Sequence, residues 1–329
     1  MKQLLALTIG AFLLSTGCEE LDLKEPGNLV PKTVDQDASL PSIFVNGTQL
    51  HSETFGTAGN TMIVVIHGGP GSDYRSLLNC SDLADEGYYV VFYDQRGSGL
   101  SKRESADWYT LESMIDDLSA VIETYRNSPD QKIVLLGHSW GAMLATAFIN
   151  EHPEAIDGAI LAEPGGFVWA DVVDYLSRSR SFGFTSETLN DATYIDQFVT
   201  AKGIDQEAID YKYALKVAAD GAADNPSGNE GPVPFWRGGA LVNRTLVKFG
   251  EEVKPDWTDN LVAFNRRVLF IYSEYNTAYG LAHAQKVSSA YADVSLQRVD
   301  DSGHEMIAFP TGWKNMYPLV INYLNEMGL

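Results

Sequence analysis

Gly137-His138-Ser139-Trp140-Gly141 follows an apolar run at residues 132–136 and precedes a helical stretch that begins at Ala142. Between a strand and a helix, a G-x-S-x-G string puts its serine on a turn sharp enough to need glycine on either side. The hydroxyl then projects at a helix N-terminus, where backbone dipoles stabilise negative charge. The string also occurs in ordinary turns, so the strand–turn–helix setting is what makes Ser139 a candidate nucleophile. A serine alcohol is a weak nucleophile and needs a base within hydrogen-bond reach. Of the six histidines, His304 in Asp301-Ser302-Gly303-His304-Glu305 is best placed, between the last strand and the closing helix on a loop that Gly303 lets turn. His51 lies in an opening strand pair, His67 and His138 sit in motifs around the site, and His152 and His283 fall on helices.

Negative charge developing on a carbonyl oxygen needs two backbone N–H donors. One is expected from Trp140, directly after the serine. The other is expected from Gly69 in His67-Gly68-Gly69-Pro70-Gly71, where glycine permits close approach and Pro70 has no N–H to offer.

These residues need a scaffold, and the pattern supplies one. Short apolar, β-branched runs at residues 61–66, 88–93, 132–136, 156–162, 268–272 and 294–299 read as strands buried on both faces. Residues 43–45 and 49–54 read as an antiparallel pair around the Asn46-Gly47 turn. Amphipathic helices such as 111–125 and 313–327 lie between or after them. The implied class is α/β, a mostly parallel sheet with helices on both faces. The strand rhythm stops over residues 166–264, too long for a simple connection, so this stretch is expected to be an inserted helical cap between core segments 41–165 and 265–329. Additional core helices are the plainer alternative.

The ordered set HGGPG (67–71), DQRGSGLS (94–101) and GHSWGAMLA (137–145) resembles the proline iminopeptidase group of α/β-hydrolases, over about residues 43–165 and 265–329. The resemblance implies the α/β-hydrolase fold and Ser-His-acid catalysis with no metal or organic cofactor. It also implies release of an N-terminal residue, often proline, from small peptides, although some relatives hydrolyse other amides, esters or lactones.

Two positions depart from that group. After the strand at 268–272 the group carries a G-R-x-D type segment that supplies the acid, whereas Ser273-Glu274-Tyr275-Asn276 puts Asn276 there. An amide can orient an imidazole but cannot neutralise an imidazolium. Glu163, in ILAEPGG at the end of the strand after the nucleophile helix, lies 24 residues beyond Ser139. Haloalkane dehalogenases, which share the fold, include members that draw their acid from this strand end. Glu163 is therefore the expected acid and Glu274 its rival, with a surface role as the alternative for either. In the insertion the group often carries W-E-G, whose glutamate holds the substrate's amino group. Here Phe235-Trp236-Arg237-Gly238 sets Arg237 in that place, a cation that would repel an ammonium and suit a carboxylate. Arg237 is thus expected at the substrate, and Glu187, Asp191 or Asp196 could restore amine binding.

The chain opens Met1-Lys2-Gln3, followed by 11 residues of apolar character at positions 4–14 and then Ser15-Thr16-Gly17-Cys18. The apolar run is too short to span a bilayer and suits a signal peptide over residues 1–17. The cysteine after it resembles a bacterial lipobox, with Ser15 where a larger aliphatic residue is usual. This reading implies lipidation at Cys18, an acidic Pro- and Gly-broken tether over residues 18–40, and an extracytoplasmic, membrane-anchored protein on the periplasmic or cell-surface side. A plain secretory signal cut near Gly17, or a buried N-terminal helix, is the alternative. Cys80 has no partner for an intramolecular disulfide once Cys18 is lipidated or removed.

The net charge of −21 with no basic run excludes nucleic acid as a partner. The absence of H-E-x-x-H, clustered Cys and His, or phosphate-binding glycine motifs leaves no metal or nucleotide implied, and His304-Glu305 alone is not a metal site. The expected function is a serine hydrolase acting on a small molecule or short peptide through an acyl-enzyme. An esterase or lactonase without peptidase activity, and a non-catalytic binding protein on the same fold, are the alternatives.

Overall fold

The computed structural model describes residues 25–179, 206–220 and 227–329. All eight expected strands form: β1 (Ser42–Val45), β2 (Thr48–Phe55), β3 (Met62–Ile66), β4 (Tyr89–Tyr93), β5 (Ile133–His138), β6 (Gly158–Ala162), β7 (Val268–Ser273) and β8 (Val294–Val299). They make one sheet in the order β1-β2-β4-β3-β5-β6-β7-β8. The β1–β2 and β2–β4 pairs are antiparallel and every later pair is parallel. Asn46 (φ 48°) and Gly47 (φ 77°) make the left-handed pair that a tight hairpin needs. Every residue of β3, β4 and β6 is buried, which explains their uninterrupted apolar sequences.

Seven helices are described: α1 (Leu111–Tyr125), α2 (Trp140–Glu151), α3 (Trp169–Ser179), α4 (Gln206–Asp220), α5 (Ala240–Val253), α6 (Gly280–Ser288) and α7 (Pro310–Met327). Strand alternation divides the core in two. Met62, Val64 and Ile66 face α1, α2 and α6, while Ile63 and Val65 face α7 and the 3-10 segment Tyr74–Ala84, in which Cys80 is buried. Helices α3, α4 and α5 all lie between β6 and β7, within the expected insertion. Among the described residues no helix is long and apolar enough to cross a membrane.

A buried carboxylate ties the insertion to the loop after β4. Asp210 of α4 accepts from Arg103 Nε at 2.9 Å and Arg237 Nε at 2.8 Å, and its second oxygen accepts from Ala240 N at the start of α5. Arg103, which follows the DQRGSGLS segment, also donates to the carbonyls of Ser98, Gly99 and Ser101. Asp210 therefore closes a clamp between the loop after β4 and the insertion.

The tether expected over residues 18–40 is corrected for residues 25–40, which are packed against the body. Val30, Thr33 and Val34 are buried, and Val34 N donates to Leu100 O at 2.8 Å. Gly27 N and Leu29 N both donate to Glu207 Oε1 of α4, and Pro31 O accepts from Arg237 Nη1. Most of these contacts are made by backbone groups, so the segment docks without the apolar periodicity that would have marked it. The signal segment 1–17, Cys18, Glu187, Asp191 and Asp196 lie outside the described residues.

Candidate active site

The chemistry-bearing residues converge at the carboxyl ends of the parallel strands, where ligands bind in open α/β sheets. Ser139 stands between β5 and α2 at φ 54° and ψ −120°, a left-handed conformation rare for a residue with a side chain. Its N–H donates to Ala162 O at the end of β6, 2.8 Å away. The flanking glycines are obligatory: a Cβ on Gly141 would lie 2.0 Å from Ile66 O, and one on Gly137 would lie 2.5 Å from Gly141 O. Among the described residues the Ser139 hydroxyl has no hydrogen-bond partner.

His304, on the loop after β8, is held from three sides. Its N–H donates to Ser227 O at 2.8 Å, its carbonyl accepts from His138 Nε2 at 2.8 Å, and its Nδ1 lies 2.6 Å from Glu163 Oε2. The His304 and His138 rings are 4.7 Å apart by centroid, which sets His304 beside the residue preceding Ser139.

Glu163 follows β6 directly, at φ 44°, and is fully buried. Besides His304 it accepts from Ser273 N and Ser273 Oγ, both at 2.6 Å, and from Asn276 Nδ2 at 2.7 Å. Burial pushes the carboxyl up, but the His304 and Ser273 bonds outweigh it and hold the group below its ordinary range. For His304 burial acts downward, and the Glu163 hydrogen bond and charge turn the net shift upward. Glu274 is engaged elsewhere, accepting from Asp301 N at 3.0 Å and pairing with Arg298 at 3.4 Å. Asn276, fully buried, is a donor to Glu163 and to Tyr175 Oη, and its own carbonyl accepts from Tyr279 N.

The glycine loop after β3 lies against the serine turn, since a Cβ on Gly68 would sit 3.2 Å from Ser139 Cβ. Among the described residues neither the Gly69 nor the Trp140 N–H has a partner. Gln95 binds the parts together. Its N–H donates to His67 Nε2 at 2.9 Å, its amide donates to His67 O at 2.8 Å, and its carbonyl accepts from Trp140 Nε1 at 2.9 Å. Asp94 accepts from His51 Nδ1, Tyr74 N and Leu100 N, which fixes the loop that carries Gln95. The insertion closes over the same loop: Gly239 N donates to Gly71 O at 2.7 Å, and Trp236 N and Arg237 N both donate to Asp73 Oδ2. Burial and the charge of Asp94 push Asp73 up to about 7 against these donors.

Arg237, expected at the substrate, is corrected. It is 1% exposed and its guanidinium is committed to Asp210 and Pro31 O, so its charge serves packing. The residues around Glu163 and the glycine loop that sequence reasoning missed are Ser273, Asn276 as a donor, Gln95 and Asp73. Gln95 was visible inside DQRGSGLS, and Ser273 carried no signal.

The serine aminopeptidase family S33 matches residues 58–192. The AB hydrolase superfamily protein YfhM of Bacillus subtilis is 34% identical over 119 residues, 36% of this chain and 41% of that protein. The proline iminopeptidase of Thermoplasma volcanium is 33% identical over 100 residues, 30% of this chain and 33% of that enzyme. The aligned stretch thus spans well under half of either relative. Among solved structures, the Mycobacterium smegmatis proline iminopeptidase superposes with a TM-score of 0.58 at 17% identity, covering 88% of this chain and 98% of that one. Sheet order, serine turn and these likenesses define the class: the chain has the α/β-hydrolase fold. Within that class its sequence is similar to that of proline iminopeptidases over about a third of the chain.

Proposed function

We propose that the chain is a serine hydrolase that cleaves small amide or ester substrates through an acyl-enzyme, in the manner of a proline iminopeptidase. The observation that carries this reading is the 2.6 Å contact between His304 Nδ1 and a fully buried Glu163 carboxylate, next to a strained serine turn. A carboxylate on Nδ1 holds the imidazole with the Nε2 lone pair free. Ser139 Oγ attacks the substrate carbonyl carbon and passes its proton to His304 Nε2. The N–H groups of Gly69 and Trp140 hold the oxyanion. His304 then protonates the leaving amine or alkoxide, and water repeats the sequence on the acyl-enzyme. The β6–β7 insertion serves as a cap that bounds the substrate pocket.

A fluorophosphonate probe is expected to label the folded chain at Ser139 and to leave Ser139→Ala untouched. Absence of labelling would favour the non-catalytic binding reading instead. Assaying a proline arylamide beside short acyl esters then separates peptidase from esterase or lactonase. The second of these is favoured by Arg237, which replaces the amine-binding glutamate of the W-E-G segment and is itself buried. Ester turnover without amide turnover would decide for it.

The reading places the enzyme outside the cytoplasm, held to a membrane by a lipid on Cys18. A Cys18→Ser variant should shift from the membrane fraction to the soluble one. Unchanged membrane association would reject the anchor.

A further inference from the structure

His138, His304 and Glu305 offer one ligand atom each, and the three atoms lie within 4.8 Å of one another. We propose that they form a site for a transition-metal dication of the zinc class, and that its binding removes His304 from proton transfer. Occupation would thus inhibit the enzyme reversibly. The inhibition rests on the hydrolase reading above, whereas the binding does not.

Histidines that ligate metals donate the other ring N–H to a carboxylate or a backbone carbonyl, which fixes the tautomer and aims the lone pair. Both histidines here have that outer partner. His304 Nδ1 is on Glu163, and His138 Nε2 is on the carbonyl of His304. The lone pairs left over are those of His304 Nε2 and His138 Nδ1. Glu305 Oε2 stands 3.9 Å from His138 Nδ1, and Glu305 N is fixed by Asn229 Oδ1 at 3.0 Å. Two imidazoles and one carboxylate are a zinc-binding donor set, and hard cations such as Mg²⁺ prefer all-oxygen sites. Zinc–ligand bonds of about 2.0–2.2 Å require donors somewhat over 3 Å apart, so the three side chains must draw together modestly from their present spacing, Glu305 toward His138 among them. Side-chain exposure rises from 3% at His138 through 13% at His304 to 20% at Glu305, which leaves the ion a path from solvent. Glu305 takes no proton and touches no reacting atom in the proposed hydrolysis, acting on His304 only through its charge, which makes it the residue to change.

The test uses the full, tag-free chain and zinc chloride. Calorimetric titration into the wild type and into Ser139→Ala should show one site in both, with micromolar affinity and no response to magnesium. Glu305→Gln should bind zinc at least about tenfold more weakly while keeping its turnover within about twofold. Zinc should inhibit the wild type at the concentrations at which it binds, and chelator should restore activity. Equal zinc affinity in wild type and Glu305→Gln, or no binding in either, overturns the site. Zinc binding by a chain that hydrolyses nothing would keep the site and reject the hydrolase reading, and turnover indifferent to bound zinc would keep the hydrolase reading and reject the inhibition.

Discussion

Glu163→Gln is expected to lower kcat by about ten-thousand-fold, the loss seen when a triad carboxylate is exchanged for its amide. Glutamine keeps the shape but carries no charge to stabilise the imidazolium, and its NH2 can turn the imidazole toward the wrong tautomer. Substrate KM should change little, because Glu163 is fully buried behind His304. The pH profile separates this from simple structural damage. His304 accepts a proton only when neutral, and its net pKa shift is upward, so wild-type activity falls as pH drops through a value above the ordinary histidine pKa. Removing the Glu163 bond and charge leaves burial as the dominant influence, and the acid limb of the residual activity should move to lower pH. A limb that stays in place, or a loss below tenfold, would mean that Glu163 is not the acid.

Asn276→Asp, although it puts a carboxylate at the position after β7 where the resemblance leads one to expect the acid, is expected to reduce turnover at neutral pH by about a hundredfold. Asn276 Nδ2 donates to Glu163 Oε2 at 2.7 Å, so an aspartate there would set two carboxylates in contact inside a buried site. Two such groups share a proton rather than both ionise. The charge available to His304 is thereby weakened and the fold loses a hydrogen bond. Adding Glu163→Gln to Asn276→Asp should then raise activity above that of Glu163→Gln alone, since the introduced aspartate becomes the sole carboxylate and the introduced glutamine can donate to it. Such a reversal of sign is what a cycle detects between residues in contact. Simple additivity of the two losses would reject the idea that either position can supply the acid.

Why Asn276 is tolerated follows from that contact. The sequence resemblance alone makes it look like a missing acid, but only the packing of β6 beside β7 shows that the amide is a donor to Glu163. The strands are legible because burial on both faces leaves only apolar, β-branched and aromatic residues in β3 and β4. The serine turn is legible because its glycines answer to contacts near 2 Å that no Cβ could survive. Arg237 misleads because a charge in sequence does not reveal its counter-charge. Its partner Asp210 lies 27 residues earlier on α4 and is held equally by Arg103. Residues 25–40 pass for a tether because backbone amides, which every sequence has, make most of their contacts to Glu207 and Leu100.

The docking of that N-terminal segment also bears on where the enzyme can work. With Gly27 already fixed to Glu207, a lipid on Cys18 would leave a leash of nine residues, about 30 Å even when fully extended. The catalytic body could not roam the aqueous compartment but would stay within about 30 Å of the bilayer. The face bearing α4 would be turned toward the bilayer, and substrates would be those that pass close to the membrane surface.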